Sequence, residues 1–400
     1  HLLLTPYESS RGTLHVWTTF SADQVVLNFV EPAVLLEMVR VLLYHIRRGI
    51  QVIRLDAIAY LWKEVGHPSI HHEKTHAVVK LFRTLLDKAA PWVVIITETN
   101  VPHEENVSYF GNYRDEAHMV YQFPLPPLTL DAFLREDASR LAGWASKLPD
   151  TGGRTTFFNF LASHDGIGLL PAHGILSREE IDGLVKAAGE RGGFINYKAT
   201  PEGQIPYEMN ITYLDAVAEK SLNESVRARK FLASQAVMLS MQGVPGIYVH
   251  SLLGSGNYRE GVEQTGQNRT INREKLNFTE VLGELSTPGS LRNRIFSGYN
   301  SMLKARKSHK AFHPSGAMEV VQIDSRILSL VRTSEDQSER IICLINVSSR
   351  VVSFELPFDI LKSKPKSSFT EIIGGEIIAA EVGAHSLRFQ IRPYGVYWLK

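Results

Sequence analysis

One cysteine in 400 residues excludes an internal disulfide, because Cys343 has no second thiol to pair with. That scarcity fits a reducing compartment, and a cytoplasmic setting is expected. An excess of either charge is also missing. Lys plus Arg number 43 against 42 for Asp plus Glu, a formal net charge of +1, so nothing draws the chain as a whole to nucleic acid or to an anionic membrane. There is no run of 18 apolar residues, hence no candidate membrane span. The opening His1-Leu-Leu-Leu-Thr-Pro-Tyr7 has no basic segment before its apolar one and does not read as a signal peptide. It also lacks methionine, and residues upstream of His1 are expected. No glycine-rich phosphate loop follows a strand, which argues against a nucleotide-binding α/β protein. Internal repeats and low-complexity tracts are absent. Neither a nucleic-acid nor a membrane partner is expected, and the oligomeric state stays open.

What is present is enough apolar material, 44% of residues, for a large core in one big domain or two. Short β-rich runs alternate with longer amphipathic ones. Apolar spacing near 3.6 predicts a helix over 32–47, stopped at Gly49, and another over 74–90, broken by Pro91. Further helices are expected at about 130–147, 177–189, 223–241 and 289–307. Strands are expected at 51–56, 92–98, 118–123, 155–163 and 244–249. This alternation predicts a parallel sheet with crossover helices, its apolar strands buried on both faces. Several strands end in Asp, Glu, His or Arg, the pattern of a (β/α)8 barrel with its site at the C-terminal face. After about residue 312 helical patterns vanish and alternating runs take over, predicting a C-terminal antiparallel β domain. The expected division is 1–30, 31–312 and 313–400.

Three strand ends carry carboxylates: Asp56, Glu98 and Asp165. In Arg54-Leu-Asp56 residues two apart point the same way, so a guanidinium would hold Asp56 ionised, as a nucleophile must be. Glu98 follows Val93 to Thr97, an apolar setting that favours a protonated carboxyl and suits a general acid. Asp165 follows His164 at a third strand end. An Asp at a strand–helix junction is also a common helix N-cap, and pattern alone does not separate the two roles.

Ile53-Arg-Leu-Asp-Ala57, Thr97-Glu-Thr-Asn100 and Ala162-Ser-His-Asp-Gly166 resemble three blocks of the α-amylase superfamily, glycoside hydrolase family thirteen. Trp17-Thr-Thr-Phe-Ser-Ala-Asp-Gln24, Glu98-Thr-Asn-Val-Pro-His-Glu-Glu-Asn106, Tyr121-Gln-Phe-Pro-Leu-Pro126 and Ile271-Asn-Arg-Glu274 resemble its sucrose phosphorylase branch. The resemblance runs from about residue 12 to the end. It implies barrel strands four to eight, with Asp56 as nucleophile, Glu98 as acid/base and Asp165 as transition-state stabiliser. The Asp56 and Glu98 carboxyls would then lie about 5–5.5 Å apart, the separation of a retaining enzyme. Arg54, His164, Phe20 and Gln24 would contact the glucosyl unit, although Phe20 is equally well a core residue. About 50 residues precede Asp56, too few for three earlier strands, so an N-terminally truncated chain is expected, with 1–30 a remnant of inserted domain B. Val26 stands where relatives have Asp.

The same resemblance implies a phosphorylase with inorganic phosphate as co-substrate and no cofactor or metal. The donor would be sucrose, sucrose 6′-phosphate or glucosylglycerate, and the product α-glucose 1-phosphate. The segment 200–210 resembles a mobile acceptor loop, and Tyr207 and Arg273 fall where that branch contacts phosphate or acceptor. Glu208 and Asn100 replace Gln and His of some sucrose phosphorylases and point toward the sucrose 6′-phosphate and glucosylglycerate enzymes. A hydrolase or transglucosidase of the same family, or a non-catalytic carbohydrate-binding protein, are the alternatives. His71, His72 and His76 lack a local acidic partner and read as a solvated helix start. Cys343 reads as buried and inert.

Overall fold

The computed structural model describes residues 3–200, 203–361 and 366–400. Two compact units emerge, His1–Tyr121 and Gln122–Lys400.

The first unit opens with an antiparallel hairpin, β1 (Leu4–Ser9) and β2 (Gly12–Trp17), where the sequence suggested only loop. Gly12 turns the chain with φ of 96°, a conformation that costs other residues dearly. Helix α1 (Pro32–Arg47) coincides with its expected span, with a proline in its first turn and basic residues in its last. Strand β3 (Val52–Leu55), helix α2 (Glu73–Ala89), strand β4 (Val94–Thr97), short helix α3 (His103–Val107) and strand β5 (Met119–Tyr121) follow. Strands β3, β4 and β5 are parallel. Val78, Phe82 and Leu86 of α2 pack with Val93 and Ile95, and residues of α1 lean on the same cluster. The His118 backbone N–H donates to the Ile95 carbonyl, and its Nδ1 accepts from the Ile95 N–H, both at 3.0 Å. Burial on both faces holds for β4 but not for β3. Val52 is 52% exposed and α1 has no fully buried residue, so this edge alternates instead.

The second unit begins with α4 (Leu125–Arg135) and α5 (Ser139–Ala145). The expected 130–147 segment thus starts earlier, because prolines fit the first turn of a helix, and it breaks at Glu136, which is left-handed. Next come β6 (Thr156–Asn159), β7 (Ile167–Gly168), α6 (Arg178–Glu190), β8 (Phe194–Thr200) and β9 (Gly203–Asn210). Residues 203–210 are therefore a strand, paired with β8 and β7, rather than a loop, while 201–202 lie outside the described residues. Helices α7 (Tyr213–Val217) and α8 (Glu224–Ser240) lead to β10 (Val244–Pro245), which is parallel to β6. That strand is shorter than expected. Gly246 turns away under the Phe158 ring, where a Cβ would lie 2.2 Å from a ring carbon. Helices α9 (Val249–Leu252), α10 (Arg259–Thr265), α11 (Phe278–Ser286) and α12 (Leu291–Ser308) complete the helical part. Side-chain caps start the long helices: Ser177 with Glu180 for α6, Asn223 for α8 and Ser290 for α12.

The C-terminal strands are antiparallel, as their alternation predicted. β11 (Ala317–Val321), β12 (Ile327–Thr333), β13 (Arg340–Asn346) and β14 (Val352–Pro357) precede one short helix that the pattern did not reveal, α13 (Phe358–Leu361). β15 (Ser368–Thr370), β16 (Ile377–Ala379), β17 (Glu381–Val382), β18 (Ser386–Ile391) and β19 (Val396–Leu399) close the chain. One sheet runs β11-β12-β13-β19 and another β14-β18-β17. Their inward residues, among them Leu344, Phe354, Leu356 and Phe389, form one apolar cluster. Cys343 is fully buried and burial pushes its thiol up to about 12, so it is inert as expected. The buried Arg332 guanidinium donates to the carbonyls of Ser240, Met241, His313 and Gly316, tying β12 to the end of α8.

Candidate active site

In the first unit two strand ends build one cluster. Strand β3 ends at Leu55, and the next residue is Asp56. Arg54 Nη1 lies 2.6 Å from Asp56 Oδ1, and Nη2 lies 3.7 Å from Glu98 Oε2. The same guanidinium therefore serves both carboxylates. Glu98 follows β4, its N–H donating to Leu55 O at 3.1 Å, and its Oε2 accepts from the Ala57 N–H at 3.0 Å. Ala57 is held left-handed, φ 45° and ψ 36°, a conformation that costs a residue with a Cβ and that recurs at functional turns. Arg54 also sits over the Tyr121 ring, 5.6 Å from its centre. Burial works to lower the Arg54 pKa, but Tyr121, Glu98 and Asp56 together raise it, so the cation is secure. Burial raises the Tyr121 pKa, and Glu98 and Asp56 add to this against the opposing pull of Arg54. Asp56 is well exposed, whereas Glu98 is largely covered.

Around these, Phe20 is 53% exposed and meets Tyr60 edge-on at 5.2 Å, so it is not core. Gln24 is exposed. Asn106 is fully buried; its Oδ1 accepts from Thr99 Oγ1 at 2.5 Å, and its Nδ2 donates to Tyr121 O at 2.7 Å, which anchors the segment after Glu98 to β5. Asn100 Oδ1 is buried and has no hydrogen-bond partner among the described residues. The histidines are not a solvated helix start. His72 is buried and its Nδ1 caps α2 through the Lys74 N–H. His71 contacts Tyr109 and Glu105, and His76 contacts Glu116. The acidic partners come from far along the chain, which is why local spacing missed them. No group of three metal-binding side chains occurs among the described residues.

In the second unit Asp165 follows a turn after β6, its N–H bonded to Ser163 Oγ at 3.1 Å. Two arginines hold its Oδ1: Arg269 Nη1 at 2.6 Å and Arg273 Nη2 at 3.1 Å. His164 Nε2 is 3.6 Å from Oδ2. Arg273 Nε also donates to His164 O at 2.5 Å, so Arg273 braces both predicted residues. Glu208 of β9 is only 1% exposed and accepts two bonds from Arg269, at 3.0 and 2.6 Å. Tyr207, half-buried beside it, contributes to the electrostatics of Arg269. Burial opposes the charge on Arg269, but its hydrogen bond to Glu208, then the charges of Glu208 and Asp165, raise its pKa.

Arg269 escaped the sequence reading, and Tyr121 and Asn272 stood in it only as members of quoted blocks, with no role assigned. The signal for Arg269 was its spacing: two arginines four apart, Arg269 within the 3-10 segment Asn268–Asn272 and Arg273 as its C-cap. Asn272 Nδ2 donates to Ser163 O at 2.5 Å, fixing the strand end that precedes Asp165.

Comparison with known proteins identifies the family. The α-amylase catalytic-domain family matches residues 7–157. The chain is 55% identical over 399 residues to a glucosylglycerate phosphorylase of Spirochaeta thermophila, covering 99% of this chain and 68% of that one. It is 42% identical over 400 residues to a glucosylglycerate phosphorylase of Escherichia coli, covering 100% and 69%. Among solved structures, the sucrose 6F-phosphate phosphorylase of Thermoanaerobacter thermosaccharolyticum superimposes with a TM-score of 0.74 at 19% identity, covering 95% of this chain and 71% of that one. At that identity the likeness shows the fold alone, that of a TIM barrel with a C-terminal β domain. The chain belongs to the α-amylase family, in its sucrose phosphorylase-like branch.

Proposed function

We propose that the protein is an α-retaining glucoside phosphorylase whose donor is glucosylglycerate and whose products are α-glucose 1-phosphate and glycerate. The observation that carries the reading is the shared guanidinium: Arg54 bonds Asp56 and reaches Glu98. A retaining enzyme needs one ionised carboxylate and one that exchanges a proton, on adjacent strand ends. The exposed Asp56, salt-bridged to Arg54, suits the first role. The covered Glu98, anchored by the Ala57 N–H, suits the second.

In the first step Asp56 attacks the anomeric carbon, the glycosidic bond breaks, and Glu98 gives its proton to the leaving oxygen. In the second step a phosphate oxygen attacks the same carbon, the bond to Asp56 breaks, and Glu98 takes up the phosphate proton. Two inversions retain the α configuration. Asp165 steadies the oxocarbenium-like transition state through the sugar hydroxyls. Arg54, His164, Phe20 and Gln24 contact the glucosyl unit. Tyr207, Glu208 and Arg273 serve the acceptor side, with Asn100, whose open Oδ1 supports that role. Residues 1–30, 31–312 and 313–400 divide into a remnant of domain B, the barrel portion and the β domain. We place the reaction in the cytoplasm, where phosphate is supplied; no described helix is long and apolar enough to cross a membrane.

The choice of glucosylglycerate over sucrose and sucrose 6′-phosphate is supported by the names of the relatives at 55% and 42% identity. The test offers each donor with phosphate and measures α-glucose 1-phosphate. Release from glucosylglycerate at least tenfold faster than from the others is expected. Phosphate-independent release of glucose would instead mark a hydrolase.

A further inference from the structure

We infer that Arg269 is a positioning residue that locks Asp165 to the buried Glu208 through one guanidinium, so that the aim of Asp165 depends on strand β9. The inference rests on the reading of Asp165 as the transition-state stabiliser. All three guanidinium nitrogens of Arg269 are used. Nε and Nη2 make a fork on Glu208, and Nη1 holds Asp165 Oδ1 at 2.6 Å. Fork geometry of this kind fixes orientation as well as charge, which a lysine cannot reproduce.

Glu208 is the anchor. Its carboxylate is 1% exposed, and Asn196 Nδ2 lies 3.4 Å from Oε1, itself held through Asn268 Nδ2 at 2.7 Å. A buried carboxylate without its cation is costly, so Arg269 has little freedom to leave it. Gly166 lets the two segments close. A Cβ there would come within 2.6 Å of Glu208 Cγ and 2.7 Å of Met209 O. The division of labour at Asp165 supports a positioning role. Both arginines take Oδ1, while Oδ2 accepts no hydrogen bond among the described residues and has only His164 Nε2 at 3.6 Å. Oδ2 is the oxygen left for a sugar hydroxyl. Arg273 ties Asp165 to its own strand end through His164 O, whereas Arg269 ties it to β9. Loss of Arg269 frees one side of that clamp.

The test compares wild type, Arg269→Gln and Arg269→Lys, with thermal unfolding measured first. Glucosyl transfer is followed to phosphate and, separately, to water. A residue acting through Asp165 lowers kcat for both acceptors by the same factor, on the order of 100-fold, the size expected of a misplacement near 1 Å. The fall in kcat exceeds any change in the KM for phosphate that a loosened Glu208 brings, and Arg269→Lys recovers only part of the rate. A change confined to the KM for phosphate would overturn the inference, as would a lowered melting temperature with unchanged kcat in the folded enzyme. A crystal structure of Arg269→Lys with Asp165 in its original rotamer would overturn it as well, whatever the activity. Wild type that transfers to water but not to phosphate would refute the phosphorylase reading and leave the Arg269 comparison measurable.

Discussion

Two arginine–carboxylate clusters, one in each unit, are built on opposite plans. In the first, Arg54 lies two residues from Asp56 and reaches Glu98 on the neighbouring strand. Cation and first carboxylate come from one local stretch, and the parallel pairing of β3 with β4 supplies the rest. In the second, Asp165 is held by Arg269 and Arg273, more than 100 residues along the chain, and the partner carboxylate Glu208 comes from a third segment. The first plan keeps the Asp56 carboxylate exposed and its cation close. The second buries its anchor and spreads the clamp over a long stretch of chain. A cluster set by strand spacing is robust to changes elsewhere, and one set by tertiary docking is adjustable through those distant segments.

The comparison breaks most sharply at Asp56. Asp56→Asn keeps size and the nearby hydrogen-bond geometry but removes the nucleophile, and transfer falls by about 10⁴-fold or more. Steady-state release of α-glucose 1-phosphate reads this, and activity within tenfold of wild type would deny Asp56 its role. Glu98→Gln comes next. The amide still accepts from the Ala57 N–H, so the turn persists while proton transfer is lost, a fall of about 10²–10⁴-fold. An α-glucosyl donor with an acidic leaving group needs no protonation and is expected to recover the first step. Equal loss with both donors would point to a structural role instead. Arg54→Gln uncouples the two carboxylates and costs about 10²-fold in kcat/KM, with a changed pH profile. An unchanged profile would mean that the shared guanidinium only packs against Tyr121.

The smallest effect concerns stability. Burial pushes the His118 pKa down to about 4, with the Arg83 charge adding to it, while its Nδ1 accepts from the Ile95 N–H. The folded pKa is below the unfolded value near 6.5, so the neutral ring contributes stability above pH 6.5. That contribution is lost as pH falls from 6.5 through 4, on the order of 3 kcal/mol at most. Denaturant unfolding at pH 7 and pH 4 reads it. His118→Gln should flatten this limb, and an unaltered limb would assign the acid sensitivity elsewhere in the first unit.

The same contrast governs what the sequence made legible. Asp56, Glu98 and Arg54 stood out because a strand alternates every two residues and each lies at a strand end. Helices α1, α2, α8 and α12 followed from apolar patterning, with Gly49 and Pro91 as the stops of the first two, whereas the caps His72, Asn223 and Ser290 emerged only in the structure. Arg269 did not stand out, because nothing near it in sequence announces a carboxylate across 104 residues. The His71 and His76 contacts to Glu105 and Glu116 were hidden for the same reason. Segment 200–210 was expected to be a loop from its resemblance to a mobile acceptor loop, yet residues 203–210 form β9 with β8 and β7 paired on either side. The exposed side of β3 was missed because an apolar run does not say which neighbours are present.

The most direct test of the account is phosphate-dependent turnover of glucosylglycerate by the wild-type protein and by Asp56→Asn. α-Glucose 1-phosphate formed with retention by the wild type, and absent with the variant, is the predicted result. Release of glucose at a rate indifferent to phosphate, or turnover that survives Asp56→Asn, would contradict it.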